Sequence, residues 1–486
     1  MIMKSTDNYR SCCEVNMGSP TRLRVGERTN GDTRSRRTYR IRLPSSADED
    51  EKRVIRMSEI YTRQGTPEER RKARFLNKSS ATAIKYLRKI EDLPHKPEAL
   101  KPFTDVLKHV FVDMQGAVKP MGVPSVGTYC VMVPPELIYA AGAMPVKLCG
   151  GSYTAFNVGD DIAPRDACPL VKAIMGFESI GVMPVYQECQ LMAVPITCDC
   201  KKKLAGYLAE HRKTVTLHVP SGRDRDEDME QYVRELYLFS QKLTEVTGIE
   251  LSYERLSWAC GMTAAAQYEL SRFIELRRRY PLAVKGTHYM AAMNAISYTH
   301  ISLWTQYMHD LCDETEQKAK RGEMASKENR PRILITGSPI VFPNFKLPLL
   351  IEEMGGALVA DETCMGERGA YDPPAIVDQS TDGIMRALAN KSTRPCTCPT
   401  FVDNKRRLYR IMQMLEDYRV QGVIYHVLRG CLVYDYEYQV MEEELGKLGI
   451  PIIRVESDYN EEDVEQLRIR VEAFIELIKY GRRGDK

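Results

Sequence analysis

The stretch GTYCVMVPPELIYAAGAMPVKLCGG, residues 127–151, decides the fold prediction for this chain. It reads as a buried strand, a turn at Pro134-Pro135, a helix from Glu136 and a second strand that ends at Cys149. Prolines at the turn and an acidic residue in the first helical turn are typical of a helix start. The stretch therefore predicts a strand–helix–strand unit with cysteines at the strand ends.

The same alternation fills the C-terminal part of the chain. RILITG, residues 332–337, follows a charged linker, and helical and strand-like segments then alternate up to EQLRIRVEAFIELIKY, residues 465–480. Strand and helix repeated at intervals of about 30 residues are typical of a doubly wound parallel sheet. We therefore predict an α/β fold.

Changes in composition divide the chain into four predicted segments. They are a basic tail (1–50), a helical lead-in (51–115), a first α/β domain with a helical insertion (116–327) and a second α/β domain (328–486). Ten Lys or Arg face four acids in the first 43 residues, which favours a mobile arm. Residues 201–216 are predicted to be helical, and residues 226–327 mostly helical.

Charge and hydropathy exclude several classes of function. The chain has 486 residues, with 69 Lys or Arg against 66 Asp or Glu, and the net charge of +3 argues against nucleic acid as a main partner. No run approaches about 20 uncharged apolar residues, so neither a membrane span nor a membrane partner is expected. The first residues lack the apolar core of a signal peptide, and we expect a cytoplasmic protein.

The 14 cysteines are more informative through their positions than through their number. Disulfides explain few cysteines in a reducing compartment, and the Cys-x-x-Cys spacing typical of zinc ribbons and ferredoxins is missing from the sequence. Five cysteines follow predicted strands: Cys130, Cys149, Cys198, Cys364 and Cys431. Strand ends line the ligand crevice of an open parallel sheet. These thiols either fill the core as small apolar residues or converge around an iron–sulfur cluster or zinc.

Other catalytic motifs are weak or missing from the sequence. It has no Gly-x-Ser-x-Gly, no phosphate loop and no Gly-x-Gly-x-x-Gly. The turn Gly337-Ser338-Pro339 either binds an anion at a helix start or serves only as a turn. His288 and His426 are the only histidines near predicted loops or strand ends, and a packing role is favoured for both.

Several blocks of the sequence resemble the 2-hydroxyacyl-CoA dehydratase superfamily, which includes dehydratase iron–sulfur subunits, benzoyl-CoA reductase subunits and double-cubane cluster proteins. They are GTYCVMVPPELIYAAGAMPVKLCGG, DACPLVKAIMGF, TCDCKKKLAGYL, and RGC followed by GIPIIRVESDY and LRIRVEAFIE. The resemblance runs from about residue 95 to residue 480. It implies two Rossmann-like, doubly wound α/β domains with an iron–sulfur cluster between them, preceded here by a helical N-terminal extension.

The resemblance also implies metal ligands. A four-iron cubane (4Fe-4S) would be held by Cys130, Cys168 and Cys431. Cys149 and Cys198 are similar to the double-cubane branch, where further cysteines hold a second cubane. The candidates for that second cubane are Cys149, Cys198, Cys364 and Cys189.

The sequence departs from the double-cubane branch at two positions. Met183 stands where that branch tends to have cysteine, and Cys200 stands where glycine is expected. One cubane with an open iron points to dehydration of an acyl-CoA, since an open iron can act as a Lewis acid. Two cubanes point to a reductase of small molecules.

The resemblance implies partners as well. Members receive an electron of very low potential from a separate, homodimeric iron–sulfur ATPase, and they form homodimers or heterodimers with a related subunit. The substrate would be an acyl-CoA or a small molecule. Two alternatives remain open, namely a non-catalytic, cluster-bearing partner subunit of a heterodimer and a zinc-bound structural protein.

Overall fold

Two four-stranded parallel sheets, one in each half of the chain, organise the structure. In this computed structural model, residues 65–369 and 373–484 are described, with side chains up to residue 481. The first sheet has the order β2-β1-β3-β4 and the second the order β6-β5-β7-β8. The strands are β1 (Ser125–Thr128), β2 (Met144–Lys147), β3 (Cys189–Ile196), β4 (Thr214–His218), β5 (Arg332–Gly337), β6 (Ala357–Glu362), β7 (Gly422–Leu428) and β8 (Ile452–Ser457).

Helices connect the parallel strands and cover the sheets. Those of the N-terminal half are α1 (Pro67–Glu91), α2 (Lys101–Phe111), α3 (Pro135–Ala140), α4 (Tyr153–Asp160), α5 (Pro169–Ile180), α6 (Pro184–Gln187), α7 (Asp199–His211), α8 (Asp226–Thr247), α9 (Tyr253–Arg279), α10 (Gly286–Ala295) and α11 (Ile301–Lys320). Those of the C-terminal half are α12 (Lys346–Glu353), α13 (Thr381–Thr393), α14 (Lys405–Asp417), α15 (Leu432–Lys447) and α16 (Val464–Gly484). Short 3-10 turns lie at Glu98–Leu100, Ile296–Tyr298 and Glu367–Gly369.

Burial explains why the central strands read as apolar runs in the sequence. All seven residues of the central strand β7 and five of the six residues of the central strand β5 are buried. Parallel strands covered by helices on both faces lose the polar alternation of a half-exposed strand. The predicted α/β fold with two doubly wound sheets is confirmed.

The prediction of a helix over residues 201–216 is wrong at its C-terminal end. Helix α7 ends at His211, Arg212 is extended, and TVTLH forms the edge strand β4. Alternating threonine and apolar residues favour a strand when a neighbouring strand is available, and β3 provides it. Residues 226–327, predicted to be mostly helical, contain the helices α8 to α11.

The N-terminal extension is helical where the structure describes it. Thr66 caps α1 and forms a capping box with Glu69, whose Oε2 accepts the backbone N–H of Thr66 at 2.8 Å. The predicted basic tail and the lead-in up to residue 64 lie outside the described residues. No helix in the described ranges combines the length and the apolar character needed to cross a membrane.

Close backbone contacts join the two halves near the strand ends. A Cβ atom at Gly151, which follows β2, would lie 2.0 Å from the carbonyl oxygen of Val341 in the other half. At Gly430, φ is +75° and a Cβ atom would lie 2.5 Å from the carbonyl oxygen of Asp166. Only glycine allows these approaches without a backbone shift. The loops after the strands of both halves therefore meet in one cleft.

Candidate metal centre

Five cysteines lie where the sequence predicted them, in loops that follow parallel strands. Each lies within three residues of the end of its strand: Cys130 after β1, Cys149 after β2, Cys198 after β3, Cys364 after β6 and Cys431 after β7. The carboxyl ends of parallel strands share one edge of a sheet. The thiols of each half are therefore presented on the side that faces the cleft.

Three cysteines occupy helix N-caps, and we call them the cap group: Cys168, Cys198 and Cys431. They cap α5, α7 and α15, which have 12, 13 and 16 residues. A helix N-terminus carries a partial positive charge and favours a thiolate over a thiol. The positive ends of three helix dipoles therefore lie close to the sulfur atoms of the cap group.

The thiols of Cys168 and Cys431 share a hydrogen bond. This bond, together with the Tyr434 backbone N–H and the Ser338 hydroxyl, outweighs burial and lowers the pKa of Cys431 to about 7. The same bond and burial raise the pKa of Cys168 well above its usual value. Burial also raises the pKa of Cys198, with Cys431 among the nearby charges. Cys431 is therefore the thiol of this group most readily ionised.

The contact at Gly430 explains how sequence places Cys168 beside Cys431. The Arg429-Gly430 turn packs on the carbonyl of Asp166, two residues before Cys168. Cys431 follows that turn directly. Two cysteines that are 263 residues apart in the chain thereby cap neighbouring helices.

A second set of thiols, the loop group, lies in loops of both halves: Cys130, Cys149, Cys364 and Cys398. Burial first, and then the neighbouring thiols Cys130 and Cys364, raise the pKa of Cys149 to about 11. Burial, Cys396, Cys364 and Cys130 raise the pKa of Cys398. Cys130 and Cys398 also pack against the small apolar cluster of Met132, Cys396 and Phe401.

Arg223 and Thr400 hold the Cys396–Cys398 loop against the first half. Arg223 donates to the carbonyl of Cys396 and, at 2.8 Å, to that of Asp403, and its guanidinium lies 4.4 Å from the Phe401 ring centre. The Thr400 hydroxyl donates to the carbonyl of Thr197, next to Cys198. These contacts bring the loop of Cys398 next to the loop of Cys198.

The ammonium of Lys201 lies among thiols of both groups. Its Nζ donates to the carbonyl of Tyr129 at 2.8 Å. Burial acts to lower the pKa of Lys201, but Cys130, Cys149 and other thiols outweigh burial and raise it well above the usual value. In the described part of the chain no carboxylate pairs with this ammonium, so its charge is available to thiolates.

Arginine and tyrosine side chains surround Cys364 in the second half. Arg368 Nη1 lies 3.4 Å from the Cys364 sulfur, and Tyr434 Oη lies 3.6 Å from it. Arg368 is itself bound by Glu362, with Nη2 to Oε2 at 2.6 Å and Nε to Oε1 at 2.9 Å. Burial acts to raise the pKa of Glu362, but Arg368 and Arg407 outweigh it and lower that pKa to about 2.

Cys189 lies apart from both groups. It is the first residue of β3, whereas Cys198 follows the other end of that strand. Its thiol is buried and donates to the carbonyl of Val185 at 3.3 Å. Burial raises its pKa, and no other thiol is among the principal causes. Cys130 belongs to the loop group, so the trio implied by the resemblance is divided between the two groups.

The two histidines singled out in the sequence serve packing. His288 is fully buried and bonds through Nε2 to the carbonyl of Ile90 at 3.0 Å. His426 bonds to Ser457 and to the carbonyl of Ser338. Burial lowers the pKa of both imidazoles to about 4, so both are neutral near pH 7.

No three or more His, Cys, Asp or Glu side chains in the described ranges converge on one point as the ligands of a single metal ion would. The thiols instead border the cleft in two groups. In an iron–sulfur cubane the thiolates bind different irons, so the donor atoms are spread around the cluster. Soft thiol donors, a buried ammonium and three helix N-termini fit an anionic iron–sulfur cluster.

Sequence reasoning missed several residues of this centre. Cys396 and Cys398 follow a helix rather than a strand, so the strand-end criterion passed over them. The pair Cys398-Pro399 repeats the Cys168-Pro169 pattern, and that signal was available. The roles of Lys201, Arg368 and Tyr434 depend on tertiary contacts and had no sequence signal.

Comparison with known proteins identifies the family. Residues 130–478 match the family described as 2-hydroxyglutaryl-CoA dehydratase, D-component. The chain is 31% identical over 363 residues to "Putative dehydratase subunit YjiM" of Escherichia coli (strain K12), covering 74% of this chain and 93% of that protein.

More distant relatives have names of the same kind. The chain is 22% identical to the (R)-phenyllactyl-CoA dehydratase beta subunit of Clostridium sporogenes, over 77% of this chain and 97% of that protein. It is 20% identical to a benzoyl-CoA reductase subunit of Thauera aromatica, over 72% of this chain and 89% of that protein. Since the matched region covers most of the chain and seven of the eight strands described, this protein belongs to the 2-hydroxyglutaryl-CoA dehydratase D-component family.

Proposed function

We propose that this chain is the iron–sulfur component of a low-potential enzyme of the dehydratase and reductase type, and that it holds two four-iron units. The single observation that carries the proposal is that seven thiols from both halves border one cleft, and four of them, Cys130, Cys149, Cys198 and Cys398, are close enough to act on Lys201. One cubane with an open iron needs only three of them. The relatives named as dehydratase and reductase subunits support the reaction class.

The two groups of thiols suggest how the ligands are divided. The cap group would hold one unit through Cys168, Cys198 and Cys431. The loop group would hold the other through Cys130, Cys149 and either Cys364 or Cys398. A bound cluster of this kind supplies low-potential electrons and a metal centre that can bind a substrate oxygen.

The protein's own residues would tune this centre. Lys201 places a positive charge beside thiols of both groups and so favours their thiolate forms. Arg368 directs an N–H group at the Cys364 sulfur, and the Tyr434 hydroxyl lies within hydrogen-bond distance of the same sulfur. Hydrogen bonds to sulfur and burial are the levers by which a protein sets the potential of such a cluster.

Cys198 and Cys189 provide a matched test of the ligand assignment. Both are cysteines next to β3, at opposite ends of that strand. We expect Cys198→Ala to lose about half of the bound iron, since one of two units loses a ligand. Cys189→Ala should keep the wild-type iron content. Equal iron in both variants would show that Cys198 is only a buried thiol and would reject the two-unit assignment.

The supply of electrons is a separate part of the proposal. We infer that a homodimeric iron–sulfur ATPase delivers them, as the family resemblance implies. The test is electron paramagnetic resonance of the anaerobic protein with such an activator, with and without ATP. Reduction of the chain's clusters should require both activator and ATP. Reduction at the same rate without ATP would contradict this step.

A second candidate is a cluster-bearing partner subunit whose substrate site lies on a sister chain. It is favoured by the names of the relatives, which describe subunits of a dehydratase and of a reductase rather than whole enzymes. A zinc-bound structural role is the remaining alternative. Turnover that appears only after a sister chain is added would support the partner role, and zinc in place of iron would support the structural one.

A further inference from the structure

A groove of about 220 Å³ lies between helix α1 of the N-terminal extension and helix α4. On one side it is lined by Arg71, Arg74 and Lys78 of α1, which we call the groove cations. On the other side it is lined by Tyr153 and Thr154, the first two residues of α4. The groove cations follow one another at intervals of three and four residues, so they lie on one face of α1.

Packed apolar side chains hold the two walls of the groove together. Phe75 of α1 also lines the groove, and its ring packs against that of Phe177 in α5 with the ring centres 5.9 Å apart. Ile180, the last residue of α5, is another lining residue. Phe75 and Ile180 are both buried. The groove is therefore a concavity between packed helices and not a gap between loose surface side chains.

The groove cations differ from other lysines of α1 in their partners. Lys72 pairs with Glu68 at 2.7 Å, and Lys89 pairs with Glu353 at 3.3 Å. The groove cations form no ion pair with a carboxylate in the described ranges, and no Asp or Glu of those ranges lines the groove. A concave site lined by charges of one sign concentrates their field and attracts ions of the opposite sign. The groove should therefore attract anions.

The largest cavity near the thiols shows that arginines alone do not produce such a site. That cavity, of about 730 Å³ beside Arg368, is lined by four arginines but also by three glutamates. Glu362 and Glu367 in its wall each bind two guanidinium groups. Its positive charges are therefore largely compensated, in contrast to those of the groove between α1 and α4.

The start of helix α4 adds a second kind of anion donor. Ser152 caps this helix, and its Oγ accepts the backbone N–H of Ala155 at 3.3 Å. The first N–H groups of a helix have no acceptor within the helix, and they carry the positive end of its dipole. Because Tyr153 and Thr154 line the groove, this positive end lies opposite the groove cations. Guanidinium groups and helix starts are both common ligands of phosphate groups.

The length of the charged row indicates the size of the anion. With a rise of 1.5 Å per residue, Arg71 and Lys78 are about 10 Å apart along the helix axis. That distance exceeds the width of a single phosphate group and suits two linked ones. Tyr153 stacks on Phe156 with the ring centres 6.1 Å apart, so its ring is held in place beside the row and can contact an organic group.

We propose that this groove binds the diphosphate group of a small organic molecule. Arg71, Arg74 and Lys78 bind the phosphate oxygens from one side and the first turn of α4 binds them from the other. The organic group lies against Tyr153. The inference goes beyond the proposed function, because it uses no thiol of the cleft and because α1 precedes residues 130–478, which match the family.

The test is calorimetric titration of the full chain with pyrophosphate at fixed ionic strength. It compares two triple variants of α1 that lose the same charge. The groove variant is Arg71→Gln, Arg74→Gln and Lys78→Gln, and the control is Lys72→Gln, Lys85→Gln and Lys89→Gln. We expect the groove variant to bind at least about tenfold more weakly than wild type, since charged hydrogen bonds are lost, and the control to change by less than about threefold. Equal weakening in both variants, or no saturable binding by wild type, would overturn the proposal.

A single substitution on the opposite wall keeps the test independent of the folding of α1. Thr154→Glu retains all three groove cations and introduces a carboxylate into the groove. An acidic residue suits the first turn of a helix, so α4 should still form. The new carboxylate should compete for the cations and weaken pyrophosphate binding at least about tenfold. Unchanged binding by this variant would overturn the proposal.

Competition experiments distinguish the sources of the diphosphate. ADP and coenzyme A both contain this group, and at least one of them should displace pyrophosphate from wild type. Stronger displacement by ADP would indicate a free nucleotide, and stronger displacement by coenzyme A would indicate a thioester or its carrier. If neither displaces pyrophosphate, the proposal is overturned. Iron-free protein should bind pyrophosphate as well as loaded protein does, so a lack of iron would reject the proposed function and leave this inference standing.

Discussion

The two halves of the molecule have the same strand order but surround their thiols with different charges. In the first half the cations are Lys147 and Lys201, which pair with no carboxylate in the described ranges. In the second half they are Arg368 and Arg407, and both bind Glu362. A paired arginine holds its surroundings in place, while an unpaired lysine retains its charge for a nearby anion. The charges of the second half are thus shared with a carboxylate that also stabilises the fold, whereas the two lysines of the first half have no such carboxylate partner in the part of the chain that the structure describes.

The buried network of the second half is continuous. Thr336 Oγ1 donates to Glu362 Oε2 at 2.5 Å and accepts from Arg407 Nη2 at 2.9 Å. Arg407 also donates to the Tyr425 hydroxyl at 3.1 Å, and that hydroxyl donates to the carbonyl of Tyr434. The network thus links strands β5, β6 and β7 to one another. It thereby fixes the loops that carry Cys364 and Cys431.

The largest effect expected from this contrast is on stability. Glu362→Gln removes the one carboxylate shared by two buried guanidinium groups, and breaking a buried pair in this way costs about 3–5 kcal/mol. Glu443→Gln, at an exposed residue that pairs with Lys447, is the control and should cost less than about 1 kcal/mol. Denaturant unfolding measures both. Similar losses in the two variants would remove the proposed difference between the halves.

The pH dependence of that loss provides the next prediction. Because the pKa of Glu362 is lowered to about 2 from 4.5, its carboxylate contributes stability above pH 4.5, and that contribution is lost as pH falls toward 2. The contribution at pH 7 is about 3 kcal/mol. The difference in unfolding free energy between wild type and Glu362→Gln should therefore shrink between pH 5 and pH 3. A constant difference across that range would contradict the assignment of the charge to Glu362.

A substitution of Lys201 in the first half should change the reduction potential of the cluster rather than the stability of the fold. Lys201→Met removes a positive charge beside the thiols, which disfavours the reduced, more negative cluster. We expect the midpoint potential to become more negative by on the order of 60 mV, equal to a tenfold change in a one-electron equilibrium. Spectroscopic redox titration measures it, with Lys203→Met as the exposed control. If the midpoint potential of Lys201→Met equals that of Lys203→Met, the charge of Lys201 does not act on the cluster and the prediction is wrong.

The fold was largely predictable from sequence because buried parallel strands leave clear apolar runs. RILITG and GVIYHVLRGC became β5 and β7, and Cys130, Cys149 and Cys364 follow their strands as expected. The short edge strand β4 was missed because the predicted helix was extended through residue 216, and the alternation in TVTLH forms a strand only by pairing with β3.

The site was less predictable because much of it depends on contacts between distant segments. The pairing of Cys168 with Cys431 requires the close approach at Gly430. Cys398 joins the loop group because Arg223 and Thr400 anchor its loop. These contacts link residues more than 150 positions apart, and patterns within a short stretch of sequence cannot predict them.

Iron and acid-labile sulfide per chain in anaerobically purified protein test the central claim most directly. If the cap group and the loop group each hold a four-iron unit, the brown protein should contain about eight irons and a similar amount of sulfide per chain. About four irons would show that only one group binds. A colourless protein that contains zinc would contradict the account of an iron–sulfur centre built from both halves.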